Sequence, residues 1–252
     1  MSTSRSLYTD ALPKGYDNTF GYDVYPVPSA TGNYNIIIGT ESNNEINGYG
    51  GNDEIEGRGG KDTLRGEGGD DILYGDSGND VLNGGDGNDI IFGNDGNDKL
   101  YGKLDDDYLE AGRGDDYLSG LDGNDTLYGN DGKDILFGGR GADLIIDGYG
   151  EDIFRYTNVG ESTPSVRDTI DLDSLDRIDL SAIDSNKSVD GNQAFEFIGS
   201  KLFSAGNSGQ VRYDAGRDII QVEIAKDGDL RVDMEIYSSD VFNFLSADNF
   251  IL

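Results

Sequence analysis

Large apolar residues recur at every ninth position between residues 48 and 155, where a nine-residue unit repeats without insertion or deletion. In each unit the apolar residue stands between two others at the end of a Gly-rich stretch, as in Gly-Tyr-Gly-Gly-Asn-Asp-Glu-Ile-Glu (48–56). Because successive strand side chains point to opposite faces, the last three residues of each unit predict a short strand with one inward side chain. The first six predict a turn, since Gly reaches positive φ without steric cost. The recurring apolar residues are Ile55, Leu64, Leu73, Leu82, Ile91, Leu100, Leu109, Leu118, Leu127, Leu136, Ile145 and Phe154.

Two such units make one coil, with its turns on opposite sides and its apolar residues facing each other inside. A single coil cannot bury its own apolar face, so neighbouring coils must stack. The sequence therefore predicts an all-β fold, a right-handed parallel β-roll, which a carboxy-terminal β-rich module caps.

An Asp precedes each apolar residue by two positions, and stacking would align these Asp residues in rows. Asp53 and Asp71, for example, would lie about one strand spacing, ~4.8 Å, apart. The carboxylates in these rows would repel one another unless a hard cation with six to eight oxygen ligands neutralised them. Calcium suits this role better than magnesium. The predicted ligands are the side chains of Asp53, Asp62, Asp71, Asp80, Asp89, Asp98, Asp107, Asp116, Asp125, Asp134, Asp143 and Asp152, with Gly51, Gly60, Gly69, Gly78, Gly87, Gly96, Gly114, Gly123, Gly132 and Gly141 of the turns.

The number of turns predicts the number of ions. Six Asp turns on each side enclose five gaps, which gives about ten calcium ions. One repeat is irregular, because Leu104 and Asp105 replace its third residue and its fourth-position Gly. We expect the sites that share Asp107 to be weaker or distorted, since Asp tolerates positive φ less well than Gly.

The composition of the chain excludes several classes of function. The formal net charge is -31, so nucleic acid and anionic membrane surfaces are unfavourable direct partners. The 252 residues include no Cys, which excludes disulfides, and no His, which removes the commonest general base and zinc ligand. The amino-terminal residues have no apolar signal region, and no stretch has the length of a membrane helix. Calcium sites of the weak extracellular class need about 0.1 to 1 mM calcium, which indicates export by a signal elsewhere in the chain.

The chain divides into three predicted regions. Residues 1–29 form an extended arm that either caps the first coil or is a mobile tail, and residues 30–155 form the calcium-binding roll. The first two repeats of the roll are degenerate, with Asn35 and Asn44 in place of Asp, as is typical of solenoid ends. Residues 156–252 form the β-rich cap, in which Lys226-Asp227-Gly228-Asp229 predicts a hairpin turn. We expect this cap to pack over the apolar face that Ile72, Tyr74, Ile90, Phe92, Tyr108, Tyr128, Leu144 and Ile146 form.

The repeat resembles the Gly-Gly-x-Gly-x-Asp-x-apolar-x motif of calcium-binding RTX proteins. The carboxy-terminal region is similar to the last module of serralysin-type secreted metalloproteases, and also to the R modules of mannuronan C-5-epimerases. The resemblance implies secretion from a Gram-negative cell through a type I ABC transporter, which reads an uncleaved signal at Asp248, Asn249, Phe250, Ile251 and Leu252. The matching segments are Asp152–Tyr156, Glu161–Pro164, Asp168–Ile170, Asp176–Asp184, Phe195–Gly199, Gln210–Asp214 and Asp248–Leu252.

The chain lacks the catalytic parts of these families. The zinc motif of serralysins needs three His, and there is no room for an epimerase catalytic domain. The sequence therefore predicts a secreted, noncatalytic calcium-binding protein. Three alternatives stay open: a module that binds an alginate-type polysaccharide, a membrane-active or host-directed effector, and the tail of a larger enzyme.

Overall fold

The computed structural model describes residues 23–24, 34–158, 160–163, 165–172, 175–183, 196–197, 210–214, 217, 219–223, 234–238 and 246–252. The predicted arm therefore lies outside the described residues, apart from β1. None of the described helices has the length and hydropathy to cross a bilayer. The strands are β1 (Asp23–Val24), β2 (Ile36–Ile38), β3 (Asn44–Asn47), β4 (Glu54–Glu56), β5 (Thr63–Gly68), β6 (Ile72–Ser77), β7 (Val81–Asp86), β8 (Ile90–Asp95), β9 (Lys99–Leu104), β10 (Tyr108–Arg113), β11 (Tyr117–Asp122), β12 (Thr126–Asp131), β13 (Ile135–Arg140), β14 (Leu144–Tyr149), β15 (Ile153–Arg155), β16 (Asp168–Asp171), β17 (Arg177–Asp179), β18 (Glu196–Phe197), β19 (Gln210–Asp214), β20 (Ile219–Glu223), β21 (Met234–Ser238) and β22 (Phe250–Ile251), with a 3₁₀ helix at Ala247–Asn249 before β22.

The strands of the roll form two parallel sheets in which each strand pairs with the one two further along the chain. One sheet runs β1-β3-β5-β7-β9-β11-β13-β15-β17-β22, and the other runs from β2 through the even-numbered strands to β14 and β16. The register places equivalent repeat positions side by side, as with Leu73 and Ile91. The predicted all-β parallel roll is confirmed, with about seven turns.

The core lies between the two sheets, and each repeat contributes one large apolar side chain to it. The twelve apolar residues of the repeat are each at most 1% exposed, because the strands alternate inward and outward side chains. The same column continues beyond the repeats through Ile170 and Ile178, both 0% exposed. These stacked side chains bury the apolar face that a single coil would leave in water.

The strands are longer than the hydrophobic pattern predicts. We expected strands of three residues, but β6 and its neighbours span six, because the strand continues into the following unit, where Asp76 and Ser77 pair with Asn94 and Asp95. Backbone bonds such as Gly48 N–H to the Arg65 carbonyl (2.8 Å) hold this part of the ladder. The turn proper is thus the short segment that leads into each Asp.

The described carboxy-terminal strands lengthen the sheets instead of covering their outer face. β16 pairs with β14, and β21, β20 and β19 follow as further neighbours in the same sheet. The predicted hairpin is present as an antiparallel pair of β20 and β21, while its turn lies outside the described residues. Among the described residues, Ile90 and Leu144 of the apolar face stay 38% exposed. The expectation that the cap packs over this face is therefore wrong for the described strands, which are joined edge to edge through backbone bonds.

Candidate metal centre

The twelve Asp residues of the repeats lie in two straight rows, one on each side of the roll. Stacking of repeat i on repeat i+2 is confirmed, since each Asp follows its row neighbour by eighteen residues. All twelve side chains are buried, at 0% to 3% exposure. The first row is Asp53, Asp71, Asp89, Asp107, Asp125 and Asp143, and the second is Asp62, Asp80, Asp98, Asp116, Asp134 and Asp152.

A continuous hydrogen-bond ladder fixes each row. The backbone N–H of Asp53 donates to Asp71 Oδ1 (2.6 Å), the N–H of Asp71 donates to Asp89 Oδ1 (2.8 Å), and the pattern repeats at 2.6–2.9 Å along both rows. Each Oδ1 thereby holds the turn below it in register. Asn35 and Asn44 start the rows in the same way, with backbone bonds of 2.7 Å to Asp53 and Asp62.

The second carboxylate oxygen of these residues is different, because it is buried and accepts no hydrogen bond. This is true of Oδ2 in Asp53, Asp62, Asp71, Asp80, Asp89, Asp98, Asp107, Asp116, Asp125, Asp134 and Asp143. A buried charged oxygen without a donor is costly, so a row of such oxygens is suited to binding a cation.

The first residue of each repeat leaves room beside this oxygen. A methyl group placed on Gly48 would lie 2.6 Å from Asp53 Oδ2 and 2.9 Å from the carbonyl oxygen of Gly66, in the neighbouring strand β5. Gly57 is equivalent, at 2.5 Å from Asp62 Oδ2 and 2.9 Å from the Gly75 carbonyl oxygen. Carboxylate and carbonyl oxygens thus converge on the space that glycine leaves open, and oxygen ligands of this kind fit a hard divalent cation.

The electrostatics of the rows also favour a positively charged ligand. Burial is the largest cause that raises the pKa of these Asp side chains, neighbouring acidic groups raise it further, and the backbone N–H bond opposes the shift. The pKa rises to about 6 in Asp71, Asp80, Asp116 and Asp143, to about 7 in Asp62, Asp89, Asp98, Asp125 and Asp134, and to about 8 in Asp107.

The turn glycines predicted as ligands are first of all what allows the turns to stack. Nine of the ten have φ between 107° and 155°, and a side chain on Gly69 would collide with the Gly51 carbonyl group. Gly123, the tenth, lies directly above Asp105, whose φ is only 71°. The irregular repeat therefore differs in backbone geometry, although Asp107 keeps both of its row hydrogen bonds.

The structure extends both rows by residues that the nine-residue period does not include. The N–H of Asp143 donates to Asp168 Oδ1 (3.0 Å), and the N–H of Asp152 donates to Asp176 Oδ1 (3.2 Å). The signal for both was the local Asp-x-apolar triplet, in Asp168-Thr169-Ile170 and Asp176-Arg177-Ile178. Asp147 was also missed, and burial together with the Asp176 carboxylate raises its pKa well above the usual range.

The five terminal residues occupy ordinary structural positions. Asp248 and Asn249 lie in the 3₁₀ helix that Ser246 caps, and Phe250 and Ile251 form β22 beside β17. Asn249 Nδ2 donates to the Asp176 carbonyl oxygen (3.1 Å). The segment thus completes one sheet, which is compatible with an additional role in export.

Buried rows of Asp oxygens on a parallel solenoid define a calcium-binding β-roll. Residues 31–64, 38–73, 48–82 and 74–109 match the RTX calcium-binding nonapeptide repeat, and the chain is accordingly a calcium-binding RTX protein. Residues 118–251, more than half of the chain, match the Peptidase M10 serralysin C terminal family, to which the chain belongs. A comparison with curated proteins found no match.

Proposed function

We propose that this chain is a noncatalytic protein that a Gram-negative cell exports through a type I ABC transporter and that folds outside the cell as it binds calcium. The observation that carries the proposal is the double row of buried Asp Oδ2 atoms without a hydrogen-bond donor. The twelve Asp of the two rows supply the carboxylate ligands, and turn carbonyls, including those of the ten predicted turn Gly, supply the rest. About ten ions fill the gaps between stacked turns.

Calcium controls folding in this proposal because the sites exist only in the stacked state. Without cations, a chain of net charge -31 must bring its carboxylates into rows, which opposes stacking. Each bound ion stabilises the folded state by RT ln(1 + [L]/Kd), and many sites act together. At low calcium the chain stays unfolded, which suits passage through a transporter, and in calcium-rich medium it folds cooperatively.

The same proposal assigns roles to the regions of the chain. Residues 1–29 form an arm or cap, residues 30–155 form the roll, and residues 156–252 form the cap that ends in the export signal Asp248–Leu252. Membership in the serralysin C-terminal family supports the export route, as does the resemblance of the terminal residues to that signal. The noncatalytic role is supported because the matched family regions are a carboxy-terminal domain and repeats, and because the serralysin zinc motif needs His.

A calcium titration followed by circular dichroism tests the folding mechanism. We expect a steep rise of β signal with calcium and an unfolded spectrum in chelator. Asp98→Asn should shift the calcium midpoint upward, because Asp98 is 1% exposed in the middle of its row. Asp95→Asn is the matched control, since Asp95 forms an exposed ion pair with Arg113 (3.2 Å), acts on Asp98 only through its charge, and should shift the midpoint far less. An identical folded spectrum with and without calcium would contradict the proposal.

A second candidate function is calcium-dependent binding of an anionic polysaccharide of the alginate type. The sheet that contains β9 and β11 carries Tyr101 and Tyr117 with ring centroids 5.8 Å apart, and Lys103 Nζ lies 5.5 Å from the Tyr101 ring. Aromatic rings beside a cation offer a stacking surface and a charge partner for an acidic sugar.

Calorimetry with alginate tests this second function. We expect binding in calcium but not in chelator, and a weaker affinity after Tyr101→Ala or Lys103→Ala. Tyr74→Ala is the control, because Tyr74 stacks on Phe92 (5.2 Å) on the opposite sheet. Absence of a heat signal with the calcium-loaded wild-type protein would exclude alginate as a ligand.

A further inference from the structure

The first position of the repeat is glycine in ten of the twelve units between residues 48 and 155, and the two exceptions are Ala111 and Asp147. The space that this glycine leaves open faces the Oδ2 of the row Asp in the same unit, as Gly48 does for Asp53. A side chain at the first position must therefore extend towards the row. Ala111 does so with a methyl group and is 0% exposed, whereas Asp147 brings a carboxylate.

Asp147 is buried in a cluster of three carboxylates. It is 4% exposed, its Oδ1 accepts a bond from the neighbouring Gly148 N–H (2.8 Å), and its Oδ2 is buried without a hydrogen-bond partner. Carboxylate oxygens of Asp147, Asp152 and Asp176 all lie within 4.8 Å of one another, and all three residues are buried. An unpartnered, buried oxygen that faces two further carboxylates indicates a ligand that is positively charged.

The cluster lies where the spacing of the row changes. Asp176 follows Asp152 by twenty-four residues, whereas row neighbours elsewhere follow by eighteen. Residues 171–176 read Asp-Leu-Asp-Ser-Leu-Asp and contain no Gly, so the segment that leads into Asp176 departs from the Gly-rich turn sequence of the repeats. Asp147, which lies in β14, supplies a carboxylate oxygen to this last gap.

We propose that Asp147, Asp152 and Asp176 bind one calcium ion, in a site separate from those of the regular repeats, which fastens the carboxy-terminal strands to the end of the roll. Calcium–oxygen distances of about 2.3 to 2.6 Å allow oxygens up to about 5 Å apart to share one ion. Magnesium, with bonds of about 2.0 to 2.1 Å and a strict octahedral preference, fits this spacing less well. The Arg177 N–H, which donates to the Asp152 carbonyl oxygen (2.8 Å), joins β17 to the last repeat beside the ion.

Restoring the repeat glycine by Asp147→Gly tests this site without disturbing the fold. We expect equilibrium dialysis against calcium to give one ion fewer per chain than for the wild-type protein. The backbone carbonyl of residue 147, which faces the row below, is retained in this variant. Ala111→Gly is the matched control, because it also places Gly at the first position of a repeat but removes no carboxylate. This variant should bind the full number of ions.

Hydrogen exchange gives a second readout, because it reports on individual amides near the proposed site. In calcium, the amides of Asp152 and Arg177 should exchange faster in Asp147→Gly than in the wild-type protein, while the amides of Asp80 and Asp98 should be unchanged. An unchanged ion count together with unchanged exchange at Arg177 would overturn the proposal and leave a protonated carboxylate cluster. The Asp98→Asn variant distinguishes the proposed site from the sites of the repeats. If Asp98→Asn loses an ion and Asp147→Gly loses none, the site at Asp147 is refuted while the calcium sites of the repeats stand.

Discussion

A single residue of the irregular repeat carries two opposite effects on calcium binding. Asp105 has φ of 71° at a position where the corresponding Gly residues reach 107° or more, and its charge raises the pKa of both Asp89 and Asp107. A side chain on Gly123 would collide with the carbonyl group of Asp105, so these two turns stack closely. The backbone change should weaken the adjacent sites, whereas the added charge attracts cations.

Two substitutions of Asp105 separate these effects. We expect Asp105→Gly to lower the calcium midpoint of folding, because glycine adopts the geometry of the other turns and relieves a left-handed residue that costs about 1 kcal/mol. Asp105→Asn keeps the left-handed tendency, removes the charge, and should change the midpoint little. A calcium titration of both variants by circular dichroism decides the matter. A higher midpoint in Asp105→Gly would mean that the charge, not the backbone, dominates.

At the scale of the strands, the sequence could predict what side chains determine and not what backbone pairing determines. The period of the apolar residues predicted the coil, the core column and the stacking of Asp53 on Asp71. It missed half the length of β6, because Asp76 and Ser77 pair through their backbones and leave no hydrophobic signal. It also missed Asp168 and Asp176, since the spacing of the rows changes there from eighteen residues to twenty-five and twenty-four.

Close stacking of the turns predicts which glycines tolerate a methyl group. Gly78 has a φ of 155°, and a side chain on it would overlap the Gly60 carbonyl group. The nearest atom to a methyl group on Gly68, in contrast, is 4.0 Å away. Gly78→Ala should therefore destabilise the calcium-loaded roll by about 2 kcal/mol or more, and Gly68→Ala by about 0.5 kcal/mol or less. The midpoint of urea denaturation in saturating calcium measures both. Equal midpoints for the two variants would show that the turns are not packed as tightly as the structure has them.

At the scale of the whole molecule, the Asp rows couple calcium, protons and folding. The unfolded chain titrates its Asp near about 3.9, whereas in the calcium-free roll the pKa of Asp89 or Asp98 rises to about 7. The calcium-free folded state therefore binds more protons than the unfolded state between about pH 4 and about pH 7. Its stability is greatest at the acidic end of this window and is lost as the pH rises through the folded pKa values.

The sign of the pH dependence should consequently reverse with calcium. In chelator-treated buffer, lowering the pH from about 7.5 to about 5 should promote compact β structure, because protons neutralise the rows in place of cations. In saturating calcium the same change should lower the urea midpoint, since protons compete with calcium for carboxylates. Circular dichroism and urea denaturation at the two pH values measure these opposite slopes. If acid instead unfolded both forms alike, the buried Asp rows would not be what limits folding of the calcium-free chain.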